Sequence, residues 1–255
     1  WLYYSDRLVE FPLGVFGIAL ATVILPSLSQ KHAKADPQAF ARTLDWGIRW
    51  VFLIGTPAAL GLILLAAPML ATLFQYGAFE AKDVEMAALS LMAYGIGLLG
   101  FMLVKVLAPG YFARQDTRTP VRFGVYSMVA NMALNLLFVV PLAMAGIEGP
   151  HAGLALATSL AAFINAGLLF RQLRRSGVFV AQPGWGRFAL RLLFANTVML
   201  LPLWWLRGPL EQWLLWGVME RALHLGALVA LGMVIYFVAL WLVGLRPRML
   251  LGKNA

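Results

Sequence analysis

Asp6, Arg7 and Glu10 stand at the head of a segment that is otherwise mostly apolar as far as Pro26. Charge on a lipid-crossing helix is expensive, so it faces a bundle interior or an aqueous cavity and marks a functional site by default. At about 100° per residue the three side chains fall within an arc of roughly 100°, and Tyr3, Gly14, Gly17 and Ala21 continue the same stripe. One face then carries charge at its mouth and small residues deeper down, with Pro12 placed to bend it. Two chemistries fit. In one, Arg7 is neutralised by its acidic neighbours and the glycines serve close helix packing. In the other, Arg7 lines a cavity and is offered to an anionic ligand, with Asp6 and Glu10 aiming the guanidinium or competing for it. Its planar fork bonds two phosphate oxygens at once.

Other polar residues fall within the apolar stretches. Lys105 lies near the inner end of one; its stem is long enough to snorkel to the interface, and it equally suits a cavity wall. Ser127, Asn131 and Asn135 repeat at i, i+4 and i+8, and Asn165 lies on the following stretch. Interhelical hydrogen bonds are the first expectation for these amides, and substrate contact the second. His32, His151 and His224 are far apart, and the chain has no cysteine, so no metal site or disulfide framework is expected. Asp6 and Glu10 form a carboxylate pair without a nucleophile or cofactor loop nearby, which argues against an enzyme and calls for no cofactor.

The elements that hold these residues follow from composition. The chain is 62% hydrophobic and 12% charged, with a mean hydropathy of +0.81. Soluble domains run near one half apolar and one quarter charged, so the solvent here is lipid. Seven stretches reach the roughly 20 residues that a span needs: Phe11–Leu28, Trp46–Phe74, Met86–Phe112, Val121–Ala145, Ala152–Phe170, Phe188–Leu206 and Ala222–Leu245. The second is long enough to tilt, or to break at Pro57 or Pro68. The predicted fold is all-α, a polytopic membrane helical bundle. Trp1 is not an initiator Met and no signal-peptide pattern follows it, so the sequence reads as a fragment with its upstream part missing.

Charge orients the bundle. Lys31, Lys34, Arg42 and Arg49 follow the first span, and Arg114, Arg118 and Arg122 the third. Arg171, Arg174, Arg175, Arg187 and Arg191 follow the fifth, and Arg246, Arg248 and Lys253 the seventh. The alternate loops hold Lys82, Arg207 and Arg221 among Glu80, Asp83, Glu85, Glu148, Glu211 and Glu220. This is the positive-inside pattern, which predicts a cytoplasmic C-terminus and an outer Trp1. The net charge of +9 is therefore topological, meets anionic headgroups, and does not point to nucleic acid. Pro209–Arg221 is too short to span and is expected along the outer interface.

Several segments together resemble the lipid II flippase family of the multidrug/oligosaccharidyl-lipid/polysaccharide exporter superfamily. They are Tyr3–Pro12 (YYSDRLVEFP), Gly17–Ser29 (GIALATVILPSLS), Leu73–Phe79 (LFQYGAF), Val104–Pro120 (VKVLAPGYFARQDTRTP) and Gln182–Trp185 (QPGW). Their order and spacing to about residue 190 make the set specific; the last two spans match mainly by hydropathy and position. The resemblance implies fourteen helices in two lobes around a central cavity, with this chain as the C-terminal half, in a bacterial inner membrane. Residues 1–175 would be spans eight to twelve, and 183–255 a final helix pair whose groove shelters a lipid tail. It further implies that Arg7 contacts the pyrophosphate of a polyprenyl-diphosphate-linked sugar-peptide (lipid II), with Asp6 and Glu10 beside it and Lys105, Asn131 and Asn135 as further cavity candidates. Membrane lipids and the missing N-terminal half of the same protein are the other expected partners. The rival readings are an exporter of another lipid-linked oligosaccharide or of cationic drugs, a non-transport scaffold, and a membrane enzyme acting on polyprenyl phosphate.

Overall fold

The computed structural model describes residues 1–146 and 149–245. Glu148, Arg246, Arg248 and Lys253, which entered the charge pattern above, lie outside the described residues. Among the described residues seven helical stretches are long and apolar enough to cross a membrane: Leu2–Ala33, Pro37–Leu64, Ala81–Phe112, Arg118–Met144, His151–Arg175, Trp185–Leu206 and Val218–Leu242.

The first span is composite: α1 (Leu2–Pro12), a π-helical stretch (Leu13–Ile18) and α2 (Ala19–Ala33). The helix begins nine residues before the Phe11 that hydropathy predicts, so Asp6, Arg7 and Glu10 sit within it rather than ahead of it. Hydropathy stops at a charge; the backbone ladder does not. Pro12 ends the regular ladder because it has no N–H to offer Leu8, and wider turns follow at once. An inserted residue shifts the phase by about 100°, which takes the stripe of small residues out of line with the charged face.

The second predicted span divides into α3 (Pro37–Leu64) and α4 (Ala66–Phe74), parted at Leu65 with φ −100° and ψ 16°. Pro57 is accommodated within α3. The break belongs to Pro68, whose ring crowds the Leu64 carbonyl and which cannot donate to it. The third span is α5 (Ala81–Leu107) with the short α6 (Pro109–Phe112). Then come α7 (Arg118–Met144), α8 (His151–Arg175), α9 (Trp185–Leu206), the single-turn α10 (Leu210–Leu215) and α11 (Val218–Leu242).

Local signals set the ends. Asp36 caps α3 by accepting the Ala39 N–H at 2.9 Å, with Pro37 as first helical residue. Glu80 and Asp83 form a reciprocal capping box on α5, where the Glu80 N–H donates to Asp83 at 2.8 Å. The turn into α9 needs a left-handed residue and has Gly184 at φ +93°. Successive crossings gather Lys31, Lys34, Arg114, Arg118, Arg174 and Arg175 at a basic end, while Asp83, Glu85 and Glu211 sit at the far end.

α5 is the axis of the bundle. Fully buried Ser5 of α1 donates to the Ala87 carbonyl at 2.7 Å, and Ser159 of α8 donates to the Ala93 carbonyl at 2.7 Å. Gly97 admits α8 so closely that a Cβ there would lie 2.7 Å from the Ser159 Cα. This is packing by small residues, the mode that works where lipid removes the hydrophobic drive. α7 is peripheral: within it only Phe123 and Ser127 are buried, and the Ser127 hydroxyl bonds to the Ala161 carbonyl of α8. The Pro209–Arg221 segment, mostly exposed, is pinned to the bundle at two points. Trp213 is fully buried and its indole donates to the Arg207 carbonyl at 2.6 Å, while Arg221 is buried and donates to carbonyls of Trp216, Ala71 and Leu214.

Candidate substrate-binding site

α1 carries the charged cluster on its open face. Arg7 donates to Glu10 at 2.7 Å, one turn on, and its guanidinium lies over the Tyr3 ring at 5.0 Å. The pair is half exposed, with side-chain accessibilities of 55% for Arg7 and 52% for Glu10. Asp6 is exposed on the same side of the helix and lies outside ion-pair distance of Arg7. The cluster is thus asymmetric: one carboxylate holds the guanidinium and the other is left facing outward. An exposed pair of this kind is worth about 0.2–1 kcal/mol, little enough for a diphosphate to displace Glu10. Ser5, Leu8 and Val9, on the opposite face, are buried against the bundle and fix the direction of the charged one.

Farther along the same span a groove of about 450 Å³ opens between the π stretch, α5, α7 and α8. Leu13, Lys105, Ser127, Asn131, Thr158 and Asn165 are among its lining residues. The Lys105 stem runs past Gly17, whose missing Cβ would lie 3.7 Å from the Lys105 Cγ. Leu13 follows Arg7 by six residues, an axial rise of about 9 Å. The charged cluster and the groove are therefore consecutive along one helix.

The interhelical hydrogen bonds expected first of the amides are made by Ser127 alone of the i, i+4, i+8 set. The Oδ1 atoms of Asn131, Asn135 and Asn165 are buried without a hydrogen-bond partner. Asn131 and Asn165 line the groove together with Lys105; Asn135, one turn beyond Asn131, is not part of its lining. Thr158 escaped the sequence reading because a single threonine in an apolar helix has no distinguishing pattern. The histidines are occupied elsewhere: His151 bonds to the Met86 carbonyl at 2.9 Å and His224 packs on Trp216 at 4.2 Å between centroids.

Sequence reading also passed over Asp45, the most heavily bonded carboxylate in the described residues. It is only 2% exposed. One oxygen accepts the Trp185 indole N–H at 2.7 Å and the Gln182 N–H at 3.1 Å; the other accepts Arg49 at 2.7 Å. Its signals were an i, i+4 acid–base pair in an apolar helix and the separate QPGW motif; nothing in the sequence links the two.

The family model described as "Lipid II flippase MurJ" matches residues 1–245. The chain belongs to that family. A Vibrio cholerae protein described as "Probable lipid II flippase MurJ" is 52% identical over 97% of this chain and 46% of its own length. The corresponding Haemophilus influenzae protein is 44% identical over 100% of this chain and 49% of its own. A Burkholderia cenocepacia "Lipid II flippase MurJ" is 40% identical over 96% and 46%. This chain spans about half the length of the curated relatives it matches. A solved structure of "Lipid II flippase MurJ, inward closed conformation" superposes with a TM-score of 0.73 over 93% of this chain and 45% of its own, at 23% identity. It shares the all-helical membrane fold.

Proposed function

We propose that this chain is the C-terminal half of a transporter that carries the headgroup of a polyprenyl-diphosphate-linked sugar-peptide across the inner membrane. Arg7 meets the diphosphate. The observation that carries this reading is the half-exposed Arg7, held by a single carboxylate, on the open face of the first span of a lipid II flippase family member. Glu10 keeps the guanidinium extended while the site is empty and yields it when a diphosphate with more charge arrives. Asp6 has no such partner; its negative charge opposes the bound diphosphate and so favours its release.

Transport then proceeds by rocking of two half-transporters around a fixed site, with this chain supplying one of them. Lys105, Asn131 and Asn165 line the route inward from Arg7, and the exposed apolar faces of α9 and α11 shelter the lipid tail. The basic end faces the cytoplasm. Charge crossing the membrane field adds a drive of about 2.3 kcal/mol per unit charge per 100 mV. The role is binding and movement; no bond is made or broken.

The test is lipid II flipping by the full-length protein carrying Arg7→Ala. A loss of two hydrogen-bonded phosphate contacts of roughly 1.5–3 kcal/mol each predicts at least about a hundredfold fall in rate. Arg7→Lys retains part of it, since an ammonium keeps the charge and loses the fork. Unchanged flipping in Arg7→Ala removes the proposed contact.

A further inference from the structure

α3 carries Pro57 in its interior, and Pro68 stands in the first turn of α4. Each leaves a carbonyl four residues earlier without its helical donor, namely Leu53 and Leu64. Inside a membrane such a carbonyl must find another donor. Both are taken by side chains of the final helix pair. Tyr236 of α11 donates its hydroxyl to the Leu53 carbonyl at 2.6 Å, and Arg207, at the end of α9, donates to the Leu64 carbonyl at 3.0 Å.

These two bonds belong to a longer seam. At the basic end Asp45 holds the Gln182–Trp185 turn, and Arg49 returns two bonds to the carbonyls of Gln182 and Pro183 at 3.2 and 3.1 Å. The Arg49 guanidinium also covers Trp185 at 4.8 Å and Phe188 at 5.5 Å. Midway, Asn196 of α9 donates to Thr56 at 3.3 Å. At about 100° per residue, positions 45, 49, 53, 56 and 64 fall within an arc of roughly 100°. One stripe of α3 therefore presents polar partners to the final pair at every depth from the basic end to the far end.

We infer that Pro57 and Pro68 act as docking sockets. By stripping donors from Leu53 and Leu64, they create acceptors that only the final helix pair can fill, and so fix α9 and α11 to α3 as one rigid body. Asp45 and Tyr236 are the positioning residues of this attachment. Rearrangement during any working cycle then occurs at other joints, and the final pair travels with the second span.

The experiment uses the full-length protein in lipid nanodiscs, with spin labels on cysteines introduced at Gln38 and Leu242, which lie at the same end of α3 and α11. Tyr236→Phe, which removes one oxygen and keeps the ring, is expected to broaden the distance distribution about twofold. In a Pro57→Ala background residue 57 supplies the Leu53 carbonyl with an N–H, and Tyr236→Phe is expected to change the width little. Trp185→Phe and Asp45→Asn are expected to broaden it in either background. Equal broadening by Tyr236→Phe with and without Pro57, or none in both, overturns the socket. Wild-type widths in Trp185→Phe and Asp45→Asn overturn the rigid attachment.

Discussion

Asn135 and Arg7 show two ways in which a polar group survives in an apolar helix. Arg7 remains half exposed and paired, so its charge stays hydrated. Asn135 has its side-chain oxygen buried without a donor, and lies outside the groove lining. A buried acceptor left unmade costs about 1–3 kcal/mol. Asn135→Leu is therefore expected to raise the thermal unfolding midpoint of the purified protein. A clear drop would mean that Asn135 finds a donor in the full-length protein. The spacing of Asn131 and Asn135 was legible in the sequence and their shared face followed from it. Their lack of partners was not, because partnership depends on how far α7 stands from its neighbours, which helical periodicity does not encode.

At the scale of the element, the tightest joint is between α5 and α8. Gly97 leaves no room for a side chain: beyond the Ser159 hydroxyl, a Cβ would meet that residue's own Cβ and Cα at 2.6 and 2.7 Å, which no rotamer change can move away. Gly97→Ala is expected to destabilise the bundle by about 1–3 kcal/mol, the usual range for overpacking. Ser159→Ala removes one interhelical bond and is expected to cost only about 0.6 kcal/mol. Unfolding in mild detergent separates the two: Gly97→Ala must be the worse. The loop before α7 provides a second handle. Asp116 accepts the Thr119 N–H at 3.0 Å, and this, a further bond from the Thr119 side chain and nearby Arg114 hold its carboxyl below the ordinary carboxylate value. A depressed folded value means that the contribution is present above the unfolded pKa, near 3.8, and fades as pH falls through the folded one. Asp116→Asn should therefore flatten any change in protection of the α7 amino terminus below about pH 4, read by hydrogen exchange. A profile matching the wild type would show that the cap does not titrate. Of these elements, the number of spans and the identity of their loops were legible from hydropathy and charge. The boundaries were not: hydropathy stopped at Asp6, Arg7 and Glu10, where the backbone ladder continues, and it ran through Leu65, where a proline three residues on stops the ladder.

For the whole molecule, the alternation of basic and acidic connections gives a topology that the bundle can adopt without threading any loop. Ser176 lies at the basic end and Gly146 at the far end, both exposed. In cells expressing the full-length protein, Ser176→Cys is expected to resist a membrane-impermeant thiol reagent added outside, and Gly146→Cys to react with it. The reverse labelling would invert the orientation inferred from charge. The resemblance pointed to a last helix pair set apart from the first five spans. The bonding along α3 is a reason to regard that division as one of sequence position, since Asp45, Thr56 and the carbonyls of Leu53 and Leu64, all bonded to the final pair, lie on the second span.

The clamps at the far end are built from guanidinium groups and main-chain oxygens. Arg207 grips Leu64, and Arg221 grips Ala71, Leu214 and Trp216, with no carboxylate between them. Neither half of such a bond gains or loses a proton under conditions a living cell survives. If that end looks outward, acid surroundings loosen the Glu80–Asp83 cap yet leave these two arginine clamps untouched, and tolerance of a sour environment is written into the choice of arginine over an ion pair.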